Sequence, residues 1–211
     1  MIIAVTQENS HYYGDVMPGM YRLRYRSFIQ RQNYDVFSIR RMEYDMYDTP
    51  AAVYLVWRDS AQMVRGCTRM SPIDRPYMIK DIWPELIEDY DSIDISTTWE
   101  GSRFCIDKDL PPELRRSIHN ELIVAMHEYA LSLNLKSIIG VMQPGIWRHV
   151  FVNSGWPVYY LGKEKRLEKE RIVAGHLPVS EEILGCLRAT FNFSAPVICN
   201  ADETTLLREV A

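Results

Sequence analysis

The sequence predicts an α/β (α+β) protein, a mixed central sheet flanked by helices. Two observations carry the prediction. Runs rich in apolar and β-branched residues, Ile2 to Thr6, Ala52 to Trp57, Val64 to Met70, Thr97 to Ile106 and Lys136 to Met142, read as strands. Apolar residues at helical spacing mark Met20 to Gln32, a long stripe from Leu114 through Ile118, Leu122 and Met126 to Tyr129, and Ser180 to Thr190.

In chain order, Met20, Leu23 and Phe28 share one helical face with Arg24, an unusual neighbour for core residues. A polar, acidic connection runs from Asn33 to Pro50. Arg58-Asp59-Ser60 then joins two β-type runs as a hairpin. The prolines at 72, 76 and 84 predict an ordered loop with a short helix around Ile82 to Glu88. Pro111-Pro112-Glu113 starts the long helix, because proline is tolerated in a first turn and a carboxylate there faces the positive end of the helix dipole. Gly145 to Ser154 predicts a helix closed by Gly155, Pro157 to Leu161 a strand, Glu164 to Glu170 a charged turn and Arg171 to Leu177 a late strand. Ser180 is placed as N-cap over Glu181-Glu182. After about residue 191 the pattern fades, which predicts a loosely packed tail.

A chain of 211 residues with 47% hydrophobic composition is long enough for one sizeable core, and we read 1–211 as a single domain. Twenty-four Lys and Arg against 28 Asp and Glu give a net charge of -4, which with no long basic run argues against nucleic acid as a partner. No apolar run approaches the roughly 20 residues of a membrane span, and Met1-Ile2-Ile3-Ala4-Val5 is too short and lacks a basic start for a signal peptide. The expected compartment is the cytoplasm. Cys67, Cys105, Cys186 and Cys199 form no CxxC and have no histidine at ligand spacing, so reduced, mostly buried thiols and no metal site are expected. Repeats, a Walker loop, a glycine-rich dinucleotide fingerprint and a Gly-x-Ser-x-Gly elbow are all absent from the sequence.

Charged residues at strand and helix positions carry the chemistry. Glu43-Tyr44-Asp45-Met46-Tyr47-Asp48 sets three carboxylates beside two tyrosines. In Trp99-Glu100-Gly101-Ser102-Arg103-Phe104 the strand period puts Glu100 and Ser102 on one face and Trp99, Gly101 and Arg103 on the other. A core accepts Arg24, Arg69, Glu100 and Arg103 only if they are paired or used. Two readings stand side by side: a structural network of Arg24, Arg69 and Arg103 with Glu43, Asp45 and Asp48, or a cleft whose fixed charges bind a charged ligand.

Four stretches in order, Leu23-Arg24-Tyr25-Arg26-Ser27-Phe28, Glu43 to Asp48, Gly66-Cys67-Thr68-Arg69-Met70 and Trp99 to Phe104, strongly resemble the LuxI-type autoinducer synthases, the acyl-homoserine-lactone synthases. The resemblance runs from about Met1 to Gly162, includes Pro76-Tyr77-Met78 and Ser154-Gly155-Trp156, and becomes vague beyond Arg171. It implies a GNAT-like acyltransferase fold, a three-layer sandwich, and an invariant charged set that here comprises Arg24, Asp45, Asp48, Arg69, Glu100 and Arg103, with Phe28 beside them. Tyr34 stands where the family usually has tryptophan, in a segment thought to close over S-adenosylmethionine; its ring can still stack on a sulfonium or adenine.

The resemblance implies that the amine of S-adenosylmethionine attacks an acyl thioester, after which its carboxylate displaces methylthioadenosine and closes the lactone. Both are substrates, and no cofactor is expected. Asp45 and Asp48 then orient the first loop and contact the cationic substrate, while Arg69 and Arg103 anchor its carboxylate or pair with the acids. Glu100 is the expected proton acceptor, given burial that raises its pKa, with Glu43 second. Backbone N–H groups near Phe104 and Cys105 are expected to hold the oxyanion. Trp99, Met78, Val141, Met142, Trp147 and Phe151 are the candidates to line the acyl tunnel by their position relative to the family, with Gln143 near where substituted chains are distinguished. Ordinary acetyltransferases of this fold carry a glycine-rich pyrophosphate loop where this chain has Asp107-Lys108-Asp109-Leu110-Pro111-Pro112. That difference favours an acylated acyl carrier protein over acyl-coenzyme A, received by Arg115 and Arg116. The competing enzyme reading is a GNAT-type N-acyltransferase using acyl-coenzyme A on another amine.

Overall fold

The computed structural model describes residues 1–167 and 170–199. Strands β1 (Ile2–Val5), β2 (Ser38–Ile39), β3 (Met42–Glu43), β4 (Val53–Arg58), β5 (Val64–Pro72), β6 (Thr98–Ile106), β7 (Ser137–Met142), β8 (Tyr159–Tyr160), β9 (Lys165–Leu167) and β10 (Glu170–Pro178) alternate with helices α1 (Val16–Arg24), α2 (Met78–Ile82), α3 (Pro112–Ser132), α4 (Pro144–Val150) and α5 (Glu181–Phe191). The main sheet has the order β1-β4-β5-β6-β7-β10-β8, with β9 on β10 and β2-β3 as a separate ribbon. It is mixed as predicted, because β6 and β7 pair parallel while β1-β4 and β7-β10 pair antiparallel.

The chain divides into two compact units. The first comprises Met1–Arg69, Arg103–Ala125 and the described part of Ala195–Ala211. Its core gathers Ile3, Val5, Val16, Met20, Leu23, Tyr54, Val56 and Val64, each large side chain contributing about 1.5–3 kcal/mol by burial. Helix α1 begins four residues before the predicted Met20, since Val16 extends the stripe and Pro18 sits in the first turn, where no hydrogen bond is lost. It continues as a π-helical segment, Tyr25–Arg31. The acidic connection contains the β2-β3 ribbon, too short to leave a periodic signal. The tail, predicted to be loose, is tied down at Ile198, which bridges Ile2, and at Cys199, whose N–H donates to the Ile2 carbonyl. The rest of that prediction lies outside the described residues.

The second unit comprises Met70–Ser102 and Met126–Ser194. Strands β7 and β10 pair over six residues, from Val173 opposite Met142 to Pro178 opposite Ser137. Trp147 of α4 packs on this sheet and donates to the Val173 carbonyl, and Gly175 leaves room for its ring. Ser180 caps α5 as predicted, accepting from the Ile183 N–H. The short helix predicted at Ile82 to Glu88 forms earlier, as α2, because the residue before Pro84 is driven out of helical geometry; a 3-10 turn follows at Pro84–Leu86. The predicted turn at Glu164 to Glu170 contains β9 instead, whose charged side chains lie on a solvated edge without apolar alternation.

Strand β6 alternates as predicted through buried Thr98, Glu100 and Ser102 and then changes phase. Arg103 takes left-handed backbone geometry, φ 55°, and the next buried residue is Cys105. Such a bulge turns the arginine away from the position that strict alternation assigns it.

Candidate active site

In the first unit, three guanidinium groups meet three carboxylates. Arg24 Nε donates to Glu43 Oε2 at 2.6 Å, while its Nη1 and Nη2 donate to Asp48 Oδ1 and Oδ2 at 2.7 and 2.9 Å. Arg69 Nη1 donates to Asp45 at 2.6 Å and to Asp48 at 2.9 Å. Arg103 Nε donates to Glu43 at 3.1 Å and its Nη2 to Asp45 at 2.6 Å. Each acid therefore bridges two arginines, and the charges balance. Fork-shaped guanidinium donors suit such shared carboxylates, which lysine could not replace.

Burial makes this balance necessary, because an unmatched charge here would be strongly destabilising. Burial works against ionisation of Asp48, but hydrogen bonds and charge from Arg24, the charge of Arg69 and the Asp45 N–H hold its pKa well below the ordinary carboxylate value. Burial likewise opposes the charge of Arg24, yet Asp48 and Glu43 raise its pKa above the usual guanidinium value. The side chains of Arg24 and Glu43 are fully buried, whereas Asp45 is 17% and Arg103 14% exposed. The Asp45–Arg103 edge is thus where the network reaches the surface.

Aromatic rings enclose it. Phe28 lies under the Arg103 guanidinium at 5.5 Å and stacks on Tyr34, 6.2 Å away and 12° from parallel. Tyr34 is partly exposed, with its N–H held by the Phe28 carbonyl.

In the second unit, Glu100 is buried and accepts from the Met78 and Ile79 N–H groups at 3.1 and 2.8 Å, at the start of α2. A carboxylate at a helix N-terminus satisfies donors that have no partner within the helix.

An autoinducer synthase family model matches residues 8–186. The chain belongs to the autoinducer synthase family. Among curated relatives, acyl-homoserine-lactone synthases of Vibrio anguillarum and Pseudomonas aeruginosa are 29% identical over 164 residues (76% of this chain, 84% of that protein) and 30% over 158 residues (74% and 78%). Isovaleryl-homoserine lactone synthase of Bradyrhizobium diazoefficiens is 27% identical over 192 residues (89% and 84%). A solved coenzyme-A-dependent acyl-homoserine lactone synthase with S-adenosylmethionine and isopentyl-coenzyme A shares the fold at TM-score 0.85 and 24% identity, covering 94% of this chain and 92% of that one.

The other residues singled out in this synthase-family chain are dispersed. Met78 is buried beside Glu100 through its own N–H, and Trp99 is half-buried near the Tyr129 ring. Met142 stands opposite Val173 in the sheet, and Gln143 is the N-cap of α4, whose carbonyl accepts from Ile146 and Trp147. Phe151 packs between Trp147 and Trp156 as a core aromatic. Phe104 follows the bulge and stands edge-on to His119. Arg115 and Arg116 are exposed in the first turn of α3. A cavity of about 300 Å³ in the first unit is lined by Leu23, Arg26, Ser27, Gln30, Arg31 and residues 107–109, none of which the sequence singled out as a site residue.

Sequence reasoning missed Tyr54, whose hydroxyl donates to Asp48 at 2.7 Å; burial and then the Asp48 charge raise its pKa. Its run, Val53–Arg58, is buried throughout, so nothing in the pattern separates it from core. The thiols of Cys67 and Cys105, 3.5 Å apart, were also unanticipated as neighbours; of the thiols expected to be mostly buried these two are, Cys199 is partly buried and Cys186 is exposed.

Proposed function

We propose that the chain is an acyl-homoserine-lactone synthase that uses S-adenosylmethionine as acceptor and an acyl thioester as donor. The acceptor nitrogen attacks the thioester carbon, forming an amide and releasing the thiol. A carboxylate oxygen of the acceptor then attacks the carbon bonded to the sulfonium, so methylthioadenosine leaves and the lactone closes. The observation that carries the reading is the family match over residues 8–186, which runs through segments of both units and contains the whole charged set; on that ground we treat the chain as one synthase domain.

Within this reading Glu100 takes the amine proton, its orientation held by two backbone donors, with Glu43 bound by two arginines and so less available. Arg24, Arg69 and Asp48 hold the first loop in shape. Arg103 and Asp45, at the exposed edge, take the acceptor's carboxylate and cationic groups, with Phe28 and Tyr34 against its sulfonium or adenine. Phe104 follows the left-handed Arg103, and backbone N–H groups at this turn of the strand take the oxyanion. Met78, Trp99 and Met142 surround the acyl chain, Phe151 supports them from the core, and Gln143 is their polar neighbour.

For the donor we propose an acylated acyl carrier protein, bound at Arg115 and Arg116. The loop before α3 supports this. Asp107 accepts from Arg26, Arg65 and the Asp109 N–H, so a buried carboxylate already uses donors that a pyrophosphate would need. Mass spectrometry of extracts from a host without its own synthase, expressing the chain or an Arg103→Ala control, tests the activity. An acyl-homoserine lactone found only with the intact chain is expected. Its absence with soluble protein and a broad acyl supply would favour acylation of a different amine.

A further inference from the structure

Ser71 on β5 is buried, and its hydroxyl has no hydrogen-bond partner among the described residues. Buried hydroxyls ordinarily find one, so this position asks for an explanation. A Cβ added to Gly66 would meet Ile118 and Leu122 of α3, whereas Arg69 pairs with Asp45 and with Asp48, which Arg24 of α1 also holds, so Ser71, in phase with Arg69 along the strand, faces away from α3. On the neighbouring strand β6, a Cβ added to Gly101 would meet Ile138 and Met126 of α3, so Glu100 also faces away. Ser71 and Glu100 therefore stand on one face of adjacent strands.

We propose that the Ser71 hydroxyl binds the acceptor amine during acyl transfer. The inference rests on the synthase reading above and names a further residue at that site. The Ser71 oxygen accepts one hydrogen of the amine while Glu100 takes the proton released as the N–C bond forms. The C–S bond of the thioester breaks, and Glu100 returns that proton to the departing sulfur, so the step balances as amine plus thioester giving amide plus thiol. With one N–H held by Ser71, the nitrogen lone pair points at the carbonyl carbon instead of rotating.

Purified protein, S-adenosylmethionine and a saturated acyl thioester test this. Ser71→Ala should lower kcat about tenfold while the donor KM stays within about twofold, and Ser71→Thr, which keeps the hydroxyl, should recover most of the loss. The thermal midpoint of Ser71→Ala should equal or exceed that of the natural chain, because an unpartnered buried hydroxyl has been removed; a structural role would lower it. Unchanged kcat in Ser71→Ala overturns the inference, as does a loss confined to donors bearing oxygen on the third acyl carbon, which would make Ser71 a reader of the chain. If the natural protein forms no lactone with any thioester, the synthase reading itself fails.

Discussion

Arg24 and Asp48 form a buried two-pronged ion pair, Nη1 to Oδ1 at 2.7 Å and Nη2 to Oδ2 at 2.9 Å, linking α1 to the loop before β4. Arg24 also holds Glu43, so one side chain closes the 24-residue separation between helix and loop. The loop that carries the acids is therefore part of the folded frame.

Arg24→Ala should destabilise the protein by about 3–5 kcal/mol, since Glu43 and Asp48 would remain buried with one cation fewer. Urea unfolding measures this, and a loss under about 1 kcal/mol would mean that water reaches the network.

Stability should fall with acid in two stages. Burial depresses the pKa of His127 from 6.5 to about 4, so the unfolded chain binds a proton that the folded chain refuses, and stability is lost as pH falls through that window, by up to about 3 kcal/mol. His176, also lowered by burial, adds to the same window. Asp48, held low when folded, contributes stability that is lost only below the ordinary carboxylate range. His127→Gln should flatten the upper stage and leave the lower one, as read from urea midpoints between about pH 7 and pH 2.

Glu100→Gln should reduce lactone formation at least about a hundredfold, because the amide cannot accept the amine proton and its NH2 opposes one of the Met78 and Ile79 donors. Arg69→Ala should also abolish activity, through the loss of its pairs with Asp45 and Asp48. Near-normal turnover in folded protein of both variants would remove this account of the site.

Charge reversal at Arg115 and Arg116 should raise KM several-fold for an acyl carrier protein donor and leave kcat unchanged, since both are exposed and act by attracting an acidic partner. Steady-state kinetics with carrier-linked and coenzyme-A-linked donors separates the cases. Equal effects on both would argue for a shared pantetheine contact instead of protein docking.

Gly175→Ala should cost about 1–3 kcal/mol, because the added Cβ would lie 2.7 Å from the Trp147 ring, which is fixed by its bond to the Val173 carbonyl. Thermal unfolding checks it, and a neutral result would mean that the indole shifts freely.

By itself the sequence determined the alternation of strands and helices, the caps at Ser180 and Gly155, and the unusual placement of Arg24, Arg69, Glu100 and Arg103, because period, capping chemistry and misplaced charge are local signals; Asp45 and Asp48 joined that set only through the family resemblance. It did not reveal β9, the β2-β3 ribbon or the early start of α1, where pairing with a neighbouring strand or helix outweighs weak local preference. Only tertiary structure decided which arginine meets which acid, that Tyr54 joins them, and that Cys67 faces Cys105. Hydrogen-bond partners separated by tens of residues leave no period in a chain; they are selected by the requirement that every buried charge be matched in space.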